Sequence, residues 1–200
     1  MKDKIIRIIQ RKYAEIKKYF TDNYRICLIS LLIIVEIAVY SSLKAAPAGE
    51  AYVNYVNEMV PEYSSEFSFI FFENCKTSLV LILAGLIPIF IGPLFASFAV
   101  IYPLAGMMKY LLKDLDYIII LKGTLPHGVM EIPAIILSIM VSVLISKEVT
   151  LSIYEFLRDR TINQKMKNLL LLLLCWLLAI VPAFMLAAFV ESYITPLLLA

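Results

Sequence analysis

The sequence predicts an all-α protein, a polytopic bundle of transmembrane helices, and three observations carry that prediction. Of 200 residues, 62% are hydrophobic and 17% charged, whereas a soluble domain is roughly half apolar and about a quarter charged. Mean hydropathy is +0.86. The apolar residues fall in runs long enough to cross a bilayer, which takes about 20 residues per helix. A soluble fold of this size cannot hide so much apolar surface, so lipid must cover the rest. The chain reads as a single membrane domain, 1–200, with room for about five spans and no long soluble domain.

Residues 1–23 read as a cytoplasmic amphipathic segment. Ile5, Ile9, Tyr13, Ile16 and Phe20 make a helical stripe, with Lys and Arg on the other face. The charged region is too long, and the next apolar run too long, for a cleavable signal peptide, so a signal anchor is expected. Span one is 24–43, interrupted once by Glu36. The polar connection 46–68 holds Pro47, Gly49, Pro61 and the acidic Glu50, Glu58, Glu62 and Glu66, with a short helix expected over 51–59. Spans two and three, 69–91 and 94–111, are divided at Gly92-Pro93, where proline removes a donor and restricts the residue before it. Span four is 124–146 and span five is 169–193. Five spans is the reading; if Tyr117–Leu121 dips into the membrane on its own, there are six segments.

Basic residues orient the bundle. Residues 1–25 carry eight Lys and Arg and residues 147–168 carry five, whereas 44–68 carry one and 109–123 three. With five spans this puts the N-terminus in the cytoplasm and the C-terminus outside the cell membrane. The lipid bilayer is the first partner expected, and the basic N-terminal segment lies against anionic headgroups.

The few polar groups left in the spans carry the most information, because ionisable side chains at membrane depth cost at least about 2.5–3.5 kcal/mol. Glu73 and Lys76 are three residues apart and suit an interfacial ion pair, with Asn74 between them. Glu36 has no basic neighbour in sequence. His127 and Glu131, four apart, share a helix face. They are bracketed by Pro126, Gly128 and Pro133, a pattern that predicts a kinked or broken fourth span. Pro126 suits a helix start, and Gly128 admits another backbone. Glu191 closes the last span. His127, Glu131, Glu36, Asn74 and Glu191 are thus the candidate intramembrane polar site. The His–Glu pair serves as interhelical glue, or as a solute or proton path of the kind built on broken helices, with metal ligation or catalysis the least favoured reading.

Other classes are disfavoured. There is one histidine, and one His with one Glu needs further ligands to hold a metal, so no metal centre is expected. No phosphate loop, nucleophile elbow or triad is present, so neither an enzyme nor a cofactor is expected. Nothing points to nucleic acid. Cys27, Cys75 and Cys175 lie far apart in or beside apolar runs and read as small buried hydrophobes.

Leu125-Pro126-His127-Gly128, followed by Glu131 and by Pro133-Ala134, resembles the signature of the stage II sporulation protein M family of membrane proteins. Phe72-Glu73-Asn74 and Glu191-Ser192-Tyr193-Ile194-Thr195-Pro196 resemble two weaker family features. The likeness covers about residues 24–196. Family members often continue past the signature with Gly- and Ala-rich sequence. Here Ile135 to Ser146 holds no glycine, which puts close helix packing there in question. The resemblance implies a multi-span protein without known catalysis, whose namesake holds peptidoglycan-cleaving enzymes together during engulfment. The expected role is a membrane scaffold or assembly module, working as a homo-oligomer or with a membrane-protein partner. The alternative is a small permease or channel using His127 and Glu131.

Overall fold

The computed structural model describes residues 2–44, 66–114, 117–158 and 163–199. All its regular elements are helices, and no strand occurs among the described residues. The connection at 46–68, with its expected short helix, lies outside them except for its last residues.

Helix α1 (Lys2–Asp22) turns at Asn23 into α2 (Tyr24–Lys44). Asn23 Nδ2 donates to the Tyr19 carbonyl at 2.8 Å, and the backbone bonds run on through the turn. The apolar stripe of α1 divides in two. Ile16, Tyr19 and Phe20 pack onto the bundle core, while Ile9 and Tyr13 face outward.

Helix α3 (Phe67–Ala84) and α4 (Ile91–Asp114) follow. The break between them is at Gly85–Phe90, seven residues before the expected Gly92-Pro93. Pro93 does not end a helix here. It sits in the first turn of α4, where its missing N–H would have had no helical partner anyway. Gly85 follows the last residue of α3, and only hydrogen fits there: a Cβ would stand 2.5 Å from the Ser142 carbonyl oxygen and 3.0 Å from Ile145 Cβ.

Helix α5 (Tyr117–Phe156) is the spine, 40 residues long. At 1.5 Å per residue it is about 60 Å long, roughly twice the hydrocarbon thickness. It corrects several expectations. Tyr117–Leu121 is the first turn of α5 and not a separate re-entrant piece. Pro126 and Pro133 lie inside the helix, which continues through both and is not broken. Gly128 admits no second backbone, since the nearest atom to a Cβ there is Ile132 Cδ1 of the same helix, at 3.8 Å. The polar stretch 147–156 is helix as well. Membrane helices tolerate such prolines where neighbouring elements surround the freed carbonyls.

The last span carries the irregularity instead. Helix α6 (Asn163–Cys175), a π turn (Trp176–Ile180), α7 (Val181–Phe189), a second π turn (Val190–Ile194) and α8 (Thr195–Leu199) form one continuous rod. Its wide turns close with bonds from Val181 N–H to the Trp176 carbonyl and from Thr195 N–H to the Val190 carbonyl. Each is followed by a proline, Pro182 or Pro196. A proline in a helix clashes with the carbonyl four residues earlier, here Leu178 or Ser192, and a widened turn relieves that clash.

Among the described residues, four helices are long and apolar enough to cross a membrane: Tyr24–Lys44, Phe67–Ala84, Leu121–Phe156 and Gln164–Leu198; Ile91–Gly106 is a shorter apolar one. Helices α3 and α5 run parallel, because Ser78 meets Ser138 and the Leu81 carbonyl meets Ser142 in the same order. The core between them and the last span is filled by Ile82, Val141, Leu144, Ile145, Leu172 and Phe184. Helix α2 packs mainly on α4, and α1 lies against α6.

Candidate functional site

His127 and Glu131 occupy successive turns of α5 and share a face, with Nε2 to Oε2 at 4.0 Å. The second π turn brings in Glu191. One donor atom from each of His127, Glu131 and Glu191 lies within 4.8 Å of the others, and all three residues are partly buried. The wide turn matters here. A π turn adds a residue to the helical repeat, so the residues it carries face differently from those of a regular helix. Thr195 helps hold it, its Oγ1 donating to the Val190 carbonyl at 3.3 Å.

Three buried polar atoms in this part of the molecule have no hydrogen-bond partner among the described residues: His127 Nδ1, Ser192 Oγ and Asn74 Nδ2. Helix α3, which carries Asn74, packs against the π turn that carries Glu191. Native proteins leave few buried polar atoms unsatisfied, and each such atom calls for an explanation. Glu36 does not join them. It lies on an exposed face of α2. Glu73 and Lys76 form their pair on the exposed side of α3, at 3.2 Å.

The cluster therefore offers one imidazole nitrogen and two carboxylates. The expectation of no metal centre rested on two ligands; the fold supplies a third from 60 residues further along the chain. A sequence signal for it exists in hindsight. Pro196, five residues after Glu191, lies just past the wide turn that Glu191 sits on.

Two further polar sets were not read from the sequence. A seam joins three spans: Trp176 Nε1 donates to Ser78 Oγ at 2.9 Å, Ser78 and Ser138 are 2.9 Å apart, and Ser142 donates to the Leu81 carbonyl. Ser138, Ser142 and Ser146 recur every four residues, which is the legible sign of a close-packed face. This corrects the expectation drawn from the missing glycines of Ile135–Ser146. Serines on α5 and Gly85 at the end of α3 supply the close approach.

At the other end of α5, Glu148 is 1% exposed. It accepts from Tyr19 and Asn168 and lies 3.3 Å from Lys147 Nζ. A cavity of about 750 Å³ opens beside it, lined by Lys12, Lys18, Lys147, Lys165 and Lys167 together with Glu15 and Asp22. Glu15 is held below the usual carboxylate range by its hydrogen bond to Lys12, then by Arg11. The end-to-end separation from Glu131 to Glu148 along α5 is about 25 Å.

These features define a multi-span helical membrane protein with a His–carboxylate cluster near one end of its core and a lysine-lined cavity at the other. The chain belongs to the stage II sporulation protein M family: the family model described as Stage II sporulation protein M matches residues 17–196, a range that includes His127, Glu131, Glu191 and Glu148. No curated protein and no solved structure matches the chain.

Proposed function

We propose that this chain is a non-catalytic membrane scaffold or assembly module of the stage II sporulation protein M type, a multi-pass protein with its N-terminus in the cytoplasm and its C-terminus outside. One observation supports this reading above the rest. Between Glu131 and Lys147 the only polar side chains on α5 are Ser138, Ser142 and Ser146, and each hydroxyl is committed to a backbone carbonyl, two in helices and one, that of Ile87, in the turn between α3 and α4. The interior between the two polar ends is helix-to-helix glue around fully buried Val141 and Leu144, not a lined conduit. A rigid bundle of this kind, with apolar side chains such as Leu28, Leu32, Val35 and Val39 turned outward from α2, suits assembly within the bilayer.

Differently tagged copies expressed together at native level test it. Capture of one tag in mild detergent is expected to recover the second copy or a defined membrane partner, and recovery of the lone monomer would count heavily against a scaffold. Orientation is tested by an impermeant maleimide in a cysteine-free background. It is expected to label Leu198→Cys on intact cells and Lys18→Cys only after permeabilisation.

A second reading, a small permease or channel, draws on the convergence of His127, Glu131 and Glu191. It requires solute flux that falls in a His127→Ala, Glu131→Gln variant, and unchanged flux removes it.

A further inference from the structure

His127, Glu131 and Glu191 come from two separate stretches of chain and meet at one end of the core. Their donor atoms lie within 4.8 Å of one another. The two carboxylates repel each other at this spacing in a low-dielectric setting. Neither 124–146 nor 169–199 contains a Lys or Arg to balance them. His127 Nδ1 is buried and unbonded among the described residues, and its Nε2 stands 4.0 Å from Glu131, beyond hydrogen-bond distance. The imidazole is thus placed beside the carboxylates without being satisfied by them.

We propose that His127, Glu131 and Glu191 bind a divalent first-row transition cation, zinc or manganese, which ties α5 to the second π turn of the last span. The donor set decides the class of ion. Imidazole suits zinc and its neighbours, and carboxylates suit manganese as well as zinc, while one nitrogen ligand disfavours calcium and magnesium. Metal–ligand bonds of roughly 2 Å hold donor atoms about 3–4 Å apart. A small rotation of Glu131 or Glu191 closes the present spacing to that range. Two carboxylates and one neutral imidazole around a divalent ion leave no net charge, which suits a site within a membrane protein. Three protein ligands leave a coordination position for water. The ion clamps two spans at the end opposite Glu148, so the site adds rigidity to a scaffold, but it stands on its own geometry and not on that role.

The purified full-length protein in detergent, stripped with a chelator and then dialysed against Zn2+ or Mn2+, gives the test. Uptake of about one ion per chain is expected, as is a rise in unfolding temperature on loading. Glu191→Gln is expected to weaken uptake by more than about tenfold, the scale seen when even an outer-shell partner is lost. Glu36→Gln, on a separate face, is expected to bind as the parent does. With Co2+ as probe, the parent is expected to show visible ligand-field bands that His127→Ala alters. Absence of uptake by the parent overturns the proposal. Uptake unchanged in Glu191→Gln overturns it equally. The parent's stoichiometry decides the matter even if a variant fails to fold.

Discussion

The hydroxyl of Tyr19 donates to Glu148 Oε1 at 2.6 Å, across 129 residues of sequence. Asn168 donates to the other oxygen at 3.1 Å. One buried carboxylate therefore ties the amphipathic α1, the spine α5 and the start of the last span. The N-terminal helix is a docked part of the bundle.

Removing this donor has a definite consequence. Tyr19→Phe leaves a buried charged acceptor one partner short, a loss of about 1.5–3 kcal/mol, read as a lower unfolding temperature in detergent. Burial, and then the Glu148 hydrogen bond and charge, push the Tyr19 hydroxyl far above its ordinary range. The folded state keeps that proton while an unfolded tyrosine ionises near pH ~10. The contribution is therefore intact below that pH and is lost as pH rises above it. Tyr19→Phe is expected to flatten the alkaline decline in stability.

Much of the fold is legible in composition and period. The spans, the amphipathic α1 and the basic ends follow from hydropathy and charge placement, because lipid leaves a helix few alternatives. Within the site, the spacing of His127 and Glu131 puts them on one face directly. Glu191 is a different matter. Its approach depends on a wide turn set beside Pro196, and hydropathy is blind to helical register. The turn at Gly85–Phe90 was also hidden, because Gly92-Pro93 is the stronger local breaker and the steric demand on Gly85 comes from Ser142, more than fifty residues away. Likewise Glu148 reads as an ordinary loop carboxylate until α1 is folded back over it.

The serine seam is expected to be weak per bond and measurable as coupling. Ser78→Ala and Ser138→Ala combined in a double-mutant cycle should show a coupling of about 0.6 kcal/mol, with an upper bound near ~1.7, as for other interhelical bonds in membranes. Trp176→Phe should reduce that coupling, since Trp176 shares the Ser78 hydroxyl. Zero coupling in the folded protein would mean the seam packs without bonding.

Two glycines are expected to respond in opposite ways. Gly85→Ala drives a methyl into the Ser142 carbonyl and should destabilise by about 1–3 kcal/mol through overpacking. Gly128→Ala meets only its own helix and should be neutral, or stabilising by up to about 1 kcal/mol through helix propensity. Unfolding midpoints of the two variants, measured side by side, check the contrast. A stable Gly128→Ala protein that no longer self-associates would locate a contact between copies at that glycine.

Ile89 and Phe90 have φ of 62° and 61°, a left-handed conformation that is unfavourable for any side chain and worst for a β-branched one. The strain is held by α5: Ile89 N–H donates to Thr150 Oγ1 at 2.9 Å and Phe90 N–H to Ser146 Oγ at 3.0 Å. Ile89→Gly is expected to relieve about 1–2 kcal/mol and raise the unfolding temperature. Thr150→Val, which keeps the shape and removes the acceptor, should lower it.

Pro196 is the residue on which the orientation of Glu191 turns. The proline lacks an N–H and crowds the Ser192 carbonyl, and the π turn over Val190–Ile194 accommodates both. Pro196→Ala restores the donor and removes the ring, so a regular helix becomes the favoured form. Each residue of such a helix turns by about 100°, and regularising the turn swings Glu191 away from His127. In a background without other cysteines, His127→Cys with Glu191→Cys is expected to be bridged readily by a short bifunctional thiol reagent. Adding Pro196→Ala should slow bridging by at least about tenfold, which corresponds to a conformational preference of about 1.4 kcal/mol. Equal bridging rates would show that the wide turn is set by packing against α3 and α5 and not by the proline.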